Sequence, residues 1–488
     1  MTTIAALATP PGLGGIAVIR VSGDKAFLMV DRIFVGSLPV VYMNTHTIHY
    51  GKIVNPFIRQ KKSELVDTVT VAVFRAPKSY TGEDIVEISC HGGNMIAGMI
   101  LDLLYRCGVS PAAPGEYTRR AFINGKMDLP TAESVADLIH AISTPGARAA
   151  AKILEGGMAD KIRVIRSKIV KIVADLETEL DFLDSDLPGI DRGKVLNDFS
   201  EMIIACKKAI SCEKNTEILR NGYRVAIVGK TNSGKSTLFN ALLDRNRALV
   251  SNSPGTTRDF LEDCFYINNI PIRLVDTAGL NAASRDVIEI EGIKLTEQII
   301  KTVNLIILLV DGTKFDSVEV NSMLASFPPD TQVLVAVNKV DIMGEIRPED
   351  YPHKTWYPER VELPGLYPDG PACLVDPNKK HNTDSDSYVY ISAKTGLGID
   401  TLTSVILKTY MMLGTDDGET YINARQAELL RKSTAYLESA RDSFTRDLGN
   451  EVVILDLRTA AEALGNITGE TFNDEVLDAI FSKFCIGK

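Results

Sequence analysis

The chain has one tryptophan, no C-x-x-C cysteine pair, no excess of basic residues and no long uninterrupted apolar run. Each absence excludes something. A membrane helix needs about 18 or more consecutive apolar residues, so no membrane-spanning segment is predicted. The seven cysteines, Cys90, Cys107, Cys206, Cys212, Cys264, Cys373 and Cys485, are odd in number and scattered. That argues against a disulfide framework or structural zinc and for a reducing compartment. The histidines are dispersed apart from His46 and His49, which read as surface or core residues of a strand rather than metal ligands. Lysine and arginine total 53 against 63 acidic residues, a net charge of −10. A broad basic face for nucleic acid is therefore excluded, and only a local patch could serve. No basic stretch followed by an apolar run opens the chain, which predicts a cytoplasmic protein.

What is present is ordinary globular sequence, 45% apolar and 24% charged over 488 residues, enough for two or three domains. Residues 1–125 mix short apolar runs with Gly and Pro. Ile16–Val21, Thr68–Phe74 and Ile85–Ser89 read as strands and Asn94–Leu104 as a helix, an α+β domain. Residues 126–218 read as helical. Ile162, Ile165, Ile169, Ile172, Leu176, Leu180 and Leu183 form one apolar stripe at spacings of three and four. Lys161, Arg163, Arg166, Lys168 and Lys171 cover the other side and read as a solvated face; any local nucleic-acid patch would lie there. Residues 219–411 alternate apolar runs with helical segments, as in a parallel α/β sheet. From 412 to 488 the chain is helical again, with Asn473 or Asp474 capping a last helix. Helical sequence on both sides of the α/β block predicts an inserted domain.

The block 219–411 carries the clearest chemistry. Gly229-Lys230-Thr231-Asn232-Ser233-Gly234-Lys235-Ser236 fits G-x-x-x-x-G-K-[ST] between a strand, Arg224–Val228, and a helix, Ser236–Leu243. The glycines let the backbone wrap phosphates, and the helix start offers unpaired N–H groups to them. Lys235 should reach the β- and γ-phosphates, Ser236 should ligate Mg²⁺, and Thr237 follows it in the helix. Asp276-Thr277-Ala278-Gly279 follows another strand. There Asp276 would hold Mg²⁺ through water and the Gly279 N–H would sense the γ-phosphate. Asn338-Lys339-Val340-Asp341 ends a third strand, and the Asp341 carboxylate suits the N1–H and N2 amino donors of guanine, which adenine lacks. Ser392-Ala393-Lys394 follows a fourth, where the Ala393 N–H can meet guanine O6. Thr256-Thr257-Arg258-Asp259 sits where a switch loop belongs, with Thr257 as second Mg²⁺ ligand and Arg258 as a candidate arginine finger. Leu280 stands where Ras-like GTPases carry a water-orienting glutamine and cannot do that work. The motifs in this order predict a GTP-binding hydrolase domain.

Further runs lie outside this block: Thr3–Gly12, Tyr80-Thr81-Gly82-Glu83-Asp84, Cys90-His91-Gly92-Gly93, Ala113–Phe122 and the terminal Phe484-Cys485-Ile486-Gly487-Lys488. With them the chain resembles the MnmE (TrmE) family of tRNA modification GTPases over essentially its full length. The resemblance implies a multidomain α/β and α architecture. An N-terminal α+β folate-binding and dimerisation domain covers 1–125. A discontinuous helical bundle covers 126–218 and 412–488, and a Ras-like P-loop GTPase domain is inserted at 219–411. It also implies a homodimer that works with the FAD-containing protein MnmG and installs an aminomethyl-type group on carbon 5 of the wobble uridine of certain tRNAs. A tetrahydrofolate such as 5-formyltetrahydrofolate would bring the one-carbon unit, and K⁺-dependent pairing of G domains would stimulate hydrolysis.

Residue by residue, the resemblance makes Asn232 a K⁺ ligand, joined by Ser251, Ser253 and Thr256. The loop Ser251-Asn252-Ser253-Pro254-Gly255-Thr256 would line the nucleotide, although it departs from the commoner family sequence before Gly255. Glu289 takes the place of the water-orienting glutamate, with Glu291 as the fallback. Arg20, Glu87, Lys126 and Lys488 would bind folate. Glu87 suits the guanidine-like edge of a pterin, and Arg or Lys suits the anionic glutamate tail. Cys485 would be a functional thiol. The segment 348–387, longer than usual for the family, reads as a surface insertion. The competing reading is a regulatory or ribosome-assembly GTPase that acts by partner binding, and folate binding separates the two.

Overall fold

The computed structural model describes residues 2–58, 64–181, 190–245, 262–268, 270–276, 302–328, 331–343, 388–412 and 421–488. The chain divides into two compact units. One comprises Met1–His140, Ala150–Ser211 and Thr420–Lys488; the other comprises Ala141–Ala149 and Cys212–Glu419.

The first unit opens with a seven-stranded sheet. Its strands are β1 (Ile4–Leu7), β2 (Ile16–Ser22), β3 (Phe34–Gly36), β4 (Thr47–Asn55), β5 (Glu64–Phe74), β6 (Ile85–His91) and β7 (Ser110–Pro111), in the order β3-β4-β5-β6-β2-β1-β7. All neighbours are antiparallel except β1 and β7. Alternation decides the two faces. Ala17, Ile19 and Val21 of β2 join Val86, Ile88 and Cys90 of β6 and Val69, Val71 and Val73 of β5 in one buried core. The helix Asn94–Arg106 closes that core with Ala97, Ile100, Leu103 and Leu104. The residues between them, Arg20 on β2 and Glu87 on β6, are left to the opposite face.

The same unit contains a helical bundle built from two distant stretches of chain. Gly157–Asp181 and Arg192–Ser211 pack with Ala424–Thr445 and Asn450–Thr468. The stripe read from sequence is the buried side: Ile162, Ile169, Ile172 and Leu176 meet Phe199, Leu430, Leu437, Leu457 and Leu464, Ile165 and Leu180 are partly buried against them, and Leu183 lies outside the described residues. Arg163 pairs with Asp128, Asp160 and Glu470, Arg166 with Glu470, and Lys168 with Glu201. Those cations are engaged with acids of the protein, as a solvated face requires, and do not form a basic patch. A carboxylate ties the two stretches together. Glu133 accepts from Arg425 Nε at 2.7 Å and Nη2 at 3.0 Å, from Asn423 Nδ2 at 2.9 Å and from Gln426 Nε2 at 2.7 Å. Asn423 and Gln426 also form a reciprocal cap for the helix that follows. Asn473 caps the last helix, Asp474–Phe481.

The second unit holds a six-stranded sheet. Its strands are β8 (Tyr223–Val228), β9 (Glu262–Ile267), β10 (Ile270–Asp276), β11 (Leu305–Asp311), β12 (Gln332–Asn338) and β13 (Val389–Tyr390), in the order β13-β12-β11-β8-β10-β9. Only β9 and β10 are antiparallel. The central strands β8, β11 and β12 are apolar along their length because both faces are covered. Their carboxyl ends therefore carry the polar loops together at one edge. No helix among the described residues is long and apolar enough to cross a membrane.

Candidate functional site

β8 delivers the chain into the loop Gly229–Gly234, and the helix Lys235–Arg245 leaves it. The loop needs its glycines for space. A Cβ on Gly229 would lie 2.3 Å from the Leu309 carbonyl oxygen, and one on Gly234 would lie 2.3 Å from Asn338 Nδ2. Gly234 has φ +100° and Asn232 φ 64°, both left-handed, which turns successive N–H groups inward. Lys235 is buried, and its Nζ donates to the carbonyls of Gly229 and Lys230 at 2.8 Å each. Ser233 Oγ is buried with no hydrogen-bond partner among the described residues. A cradle with no room for a Cβ and an orphaned buried hydroxyl fit a phosphate chain. Ser236 and Thr237 are exposed at the start of the helix, where a Mg²⁺ on the phosphates could be met. Lys230 pairs with Glu319 at the rim.

The guanine motifs converge on this loop through Asn338. Its Nδ2 donates to the Ser233 carbonyl at 2.8 Å, and its Oδ1 accepts from the Ala393 N–H at 2.9 Å. One buried amide thus locks the phosphate loop to the Ser392-Ala393-Lys394 turn. Asp341 Oδ1 accepts from Ser392 Oγ at 2.7 Å, which aims the carboxylate and leaves Oδ2 without a partner among the described residues. Lys339 has φ 70°, and its Nζ meets Asp311 Oδ2 at 2.6 Å. Burial pushes the Asp311 carboxyl up, but the Lys339 and Thr313 hydrogen bonds outweigh it and hold the group below its ordinary value. Lys394 is exposed beside the turn. Asp276 ends β10 next to β8, paired in register with Ile227. Ser251, Asn252, Ser253, Pro254, Gly255, Thr256, Thr257, Arg258, Thr277, Ala278, Gly279, Glu289, Glu291 and the segment 348–387 lie outside the described residues. Of the four K⁺ candidates only Asn232 is described, and it is exposed.

The folate candidates belong to the other unit. Register places Arg20 directly across from Glu87. Arg20 Nε and Nη2 reach Glu87 Oε1 at 2.9 and 2.8 Å. The guanidinium carbon lies 5.3 Å from the Tyr80 ring centroid and 5.6 Å from that of Tyr117. The Tyr117 hydroxyl donates to the Arg20 carbonyl at 2.7 Å, and Tyr80 Oη shares a hydrogen bond with Thr118 Oγ1 at 2.9 Å. Burial pushes both phenols up, with the Arg20 charge opposing it, so both rings are neutral. Lys126 is exposed and donates to the Pro77 carbonyl at 3.0 Å, at the foot of the loop that carries Tyr80. That loop is anchored beneath by a buried network. Glu83 accepts from Arg120 Nη1 at 3.2 and 3.0 Å and from Ser22 Oγ at 2.8 Å, while Arg120 Nη2 meets Glu116 at 2.7 Å.

The chain terminus docks onto the same domain. The Tyr117 N–H donates to a Lys488 backbone oxygen at 3.2 Å, and Gly487, at φ +97°, lies against the Leu7 carbonyl where a Cβ would be 2.3 Å away. Cys485 is exposed, with Sγ 3.7 Å from His140 Nε2. Reasoning from sequence missed Tyr80 and Tyr117 as neighbours of Arg20, although both stand in runs noted for the family resemblance. It also missed Asp67. This buried residue accepts from the His91 N–H at 2.8 Å, shares a hydrogen bond with His91 Nδ1 at 2.6 Å and accepts from the Thr68 N–H at 2.7 Å. No local signal pairs residues 24 apart. Burial pushes the Asp67 carboxyl up, but those hydrogen bonds hold it below its ordinary value.

Comparison with known proteins covers the whole chain. Residues 3–126 match the family described as GTP-binding protein TrmE N-terminus, and residues 129–485 match the MnmE helical domain. The tRNA modification GTPase MnmE of Acetivibrio thermocellus is 34% identical over 488 residues, 100% of this chain and 99% of that protein. The protein of the same name from Carboxydothermus hydrogenoformans is 35% identical over 491 residues, with the same coverage. Among solved structures, Era of Aquifex aeolicus bound to GDP and AlF4⁻ is 24% identical over 44% of this chain and 66% of its own, with a TM-score of 0.26.

Proposed function

The chain belongs to the MnmE family of tRNA modification GTPases, and on that premise we propose that it binds and hydrolyses GTP in the service of tRNA modification. The observation that carries the reading is the Asn338 bridge. It joins the phosphate loop to the turn that faces the base and sets Asp341, aimed by Ser392, to accept from guanine. Lys235 would exchange its loop carbonyls for the β- and γ-phosphate oxygens. Ser233 Oγ would gain the partner it lacks. A Mg²⁺ held by Ser236, Thr257 and, through water, Asp276 would neutralise charge on the phosphates. Asn232, with Ser251, Ser253 and Thr256, would hold K⁺. Glu289, or Glu291, would orient the attacking water.

We assign a folate-binding and dimerising domain to 1–125, a helical bundle to 126–218 and 412–488, and the G domain to 219–411. Arg20, Glu87, Lys126 and Lys488 form the folate site in this reading, and Cys485 is a functional thiol beside it. The protein is a cytoplasmic homodimer that acts with the FAD protein MnmG on carbon 5 of the wobble uridine. The Asp341→Asn variant tests the nucleotide half directly. GTP turnover should fall by about 100-fold or more, while xanthosine triphosphate, whose base has a carbonyl where guanine has the 2-amino group, should become the better substrate. Undiminished GTP turnover would remove Asp341 from the base site.

A further inference from the structure

We infer that His140 is the proton acceptor for the Cys485 thiol and that the pair is a nucleophilic site for electrophilic carbon. The inference deepens the reading of Cys485 as a functional thiol by naming the residue that activates it, and it rests on that reading only for a role in tRNA modification. Three observations carry it.

The first is the contact itself. Cys485 Sγ lies 3.7 Å from His140 Nε2, and both residues are exposed, so a small reagent can reach the sulfur. His140 Nδ1 has no hydrogen-bond partner among the described residues. A neutral imidazole can therefore carry its proton on Nδ1 and present Nε2 to the S–H as an acceptor. The thiolate, not the thiol, is the nucleophile, so an acceptor already in place separates a reactive thiol from an inert one.

The second is that packing sets the distance between residues 345 apart in sequence. His140 closes the helix Leu129–Ile139 and donates its N–H to the Ala136 carbonyl at 3.0 Å. Cys485 directly follows Phe484. Phe481 and Phe484 are buried in one cluster with Leu129 and Ala136 of that helix and with Phe122 of the helix Glu116–Ile123. The Cys485 carbonyl accepts from the Gly115 N–H at 3.5 Å and from the Lys488 N–H at 3.3 Å. Two groups fixed by packing and by backbone hydrogen bonds keep a geometry that two loose side chains would not.

The charges on the elements of this cluster are compatible with the transfer. Glu133 is held by Arg425, Glu116 by Arg120, and Asp474 and Asp478 by Arg119. Arg120 is buried between Glu83 and Glu116. Asp137 lies on the helix that ends at His140, and Glu475 lies in the first turn of the last helix. Lys483 and Lys488 have no acidic partner among the described residues, and cations in the same tail favour a thiolate. The transfer leaves an imidazolium at the carboxyl end of a helix, where positive charge is favoured.

The third is the contrast with the other cysteines. Cys90, Cys107 and Cys206 are buried, and burial pushes each thiol up, that of Cys206 to about 11. Cys90 Sγ meets a backbone carbonyl, that of Ala17, at 3.5 Å. Among the described cysteines only Cys485 is exposed.

The step is a displacement. The Sγ–H proton passes to His140 Nε2, the sulfur lone pair forms a bond to carbon, and the leaving group departs with the bonding electrons. The test uses iodoacetamide, which loses iodide, on the full-length chain. Its rate is read at the Cys485 peptide by mass spectrometry, between about pH 6 and pH 9.5. At about pH 7 the wild type should react about tenfold faster than His140→Ala, and the two should converge above about pH 9, where a thiol ionises unaided. His140→Gln can hydrogen-bond but takes up no proton, so it should be as slow as His140→Ala. The buried Cys206 peptide reports folding and should stay unlabelled throughout; His140→Gln carries the comparison if the alanine variant exposes it. Superimposed pH profiles for wild type and His140→Ala would overturn the inference. So would a His140→Gln protein as fast as wild type, which would reduce His140 to a prop. Nucleosides of tRNA from a Cys485→Ser strain test the functional-thiol reading separately. Retained wobble modification there would overturn that reading alone, since the alkylation assay involves no tRNA.

Discussion

The nucleotide junction and the N-terminal pocket proposed above for folate are built by different means. The junction is made from backbone. Glycines without room for a Cβ, left-handed residues at 232, 234 and 339, and one buried amide at Asn338 bring loops from the ends of three parallel strands to a common edge. The pocket is made from side chains. Its central pair, Arg20 and Glu87, comes from two antiparallel strands 67 residues apart in sequence and is joined only by register. Backbone sites tolerate little substitution and leave contiguous motifs. Side-chain sites are dispersed and can be rebuilt one residue at a time.

The difference explains what could be read from the sequence. The G-x-x-x-x-G-K-S loop and Asn338-Lys339-Val340-Asp341 were legible because loop conformation is a local property of residue type. The apolar stripe from Ile162 to Leu176 was legible for the same reason, since helical period sets its face. Arg20 and Glu87 could not be paired from residues alone, because a one-residue slip of β2 against β6 would place them on opposite faces. They entered as folate candidates through family resemblance, which did not say that they bind each other. Nor could any local pattern show that Arg163, Arg166 and Lys168 are neutralised by Asp128, Glu470 and Glu201, which come from other parts of the chain.

If the contrast is right, the two regions should fail differently. The largest effect is expected at the backbone site. Gly234→Ala adds a Cβ at a left-handed residue and drives it into Asn338 Nδ2, costing about 3 kcal/mol in strain and a lost buried hydrogen bond, or roughly 100-fold in GTP affinity. Fluorescent-nucleotide titration would show it, and unchanged affinity would mean that the loop is not rigid. Glu83→Ala, beneath the pocket, removes one of the two carboxylates on the buried Arg120 guanidinium, leaving Glu116, and should destabilise the N-terminal domain by about 1.5–3 kcal/mol, the loss of hydrogen bonds to a charged group. Chemical denaturation measures that loss, while GTP affinity should be untouched.

Asn423→Ala removes a helix cap and one of the Glu133 hydrogen bonds and should cost about 1 kcal/mol in the bundle. The smallest effect concerns pH. The Asp67 carboxyl is held below its ordinary value in the fold, so its contribution is complete above about pH 4 and is lost as acid protonates it below that. Asp67→Asn should therefore flatten the acid limb of the stability curve below pH 4 and lower stability at neutral pH. A variant whose acid limb is as steep as wild type would show that Asp67 and its His91 and Thr68 partners add nothing.

The central claim is that the nucleotide site serves tRNA modification. The most direct measurement is nucleoside analysis of tRNA from cells lacking the protein and from the same cells carrying the wild-type or the Asp341→Asn chain. Loss of the carbon-5 aminomethyl-type modification at the wobble uridine is predicted in the deletion and in the Asp341→Asn strain, with recovery by wild type. Wobble uridines fully modified in the deletion strain would contradict it.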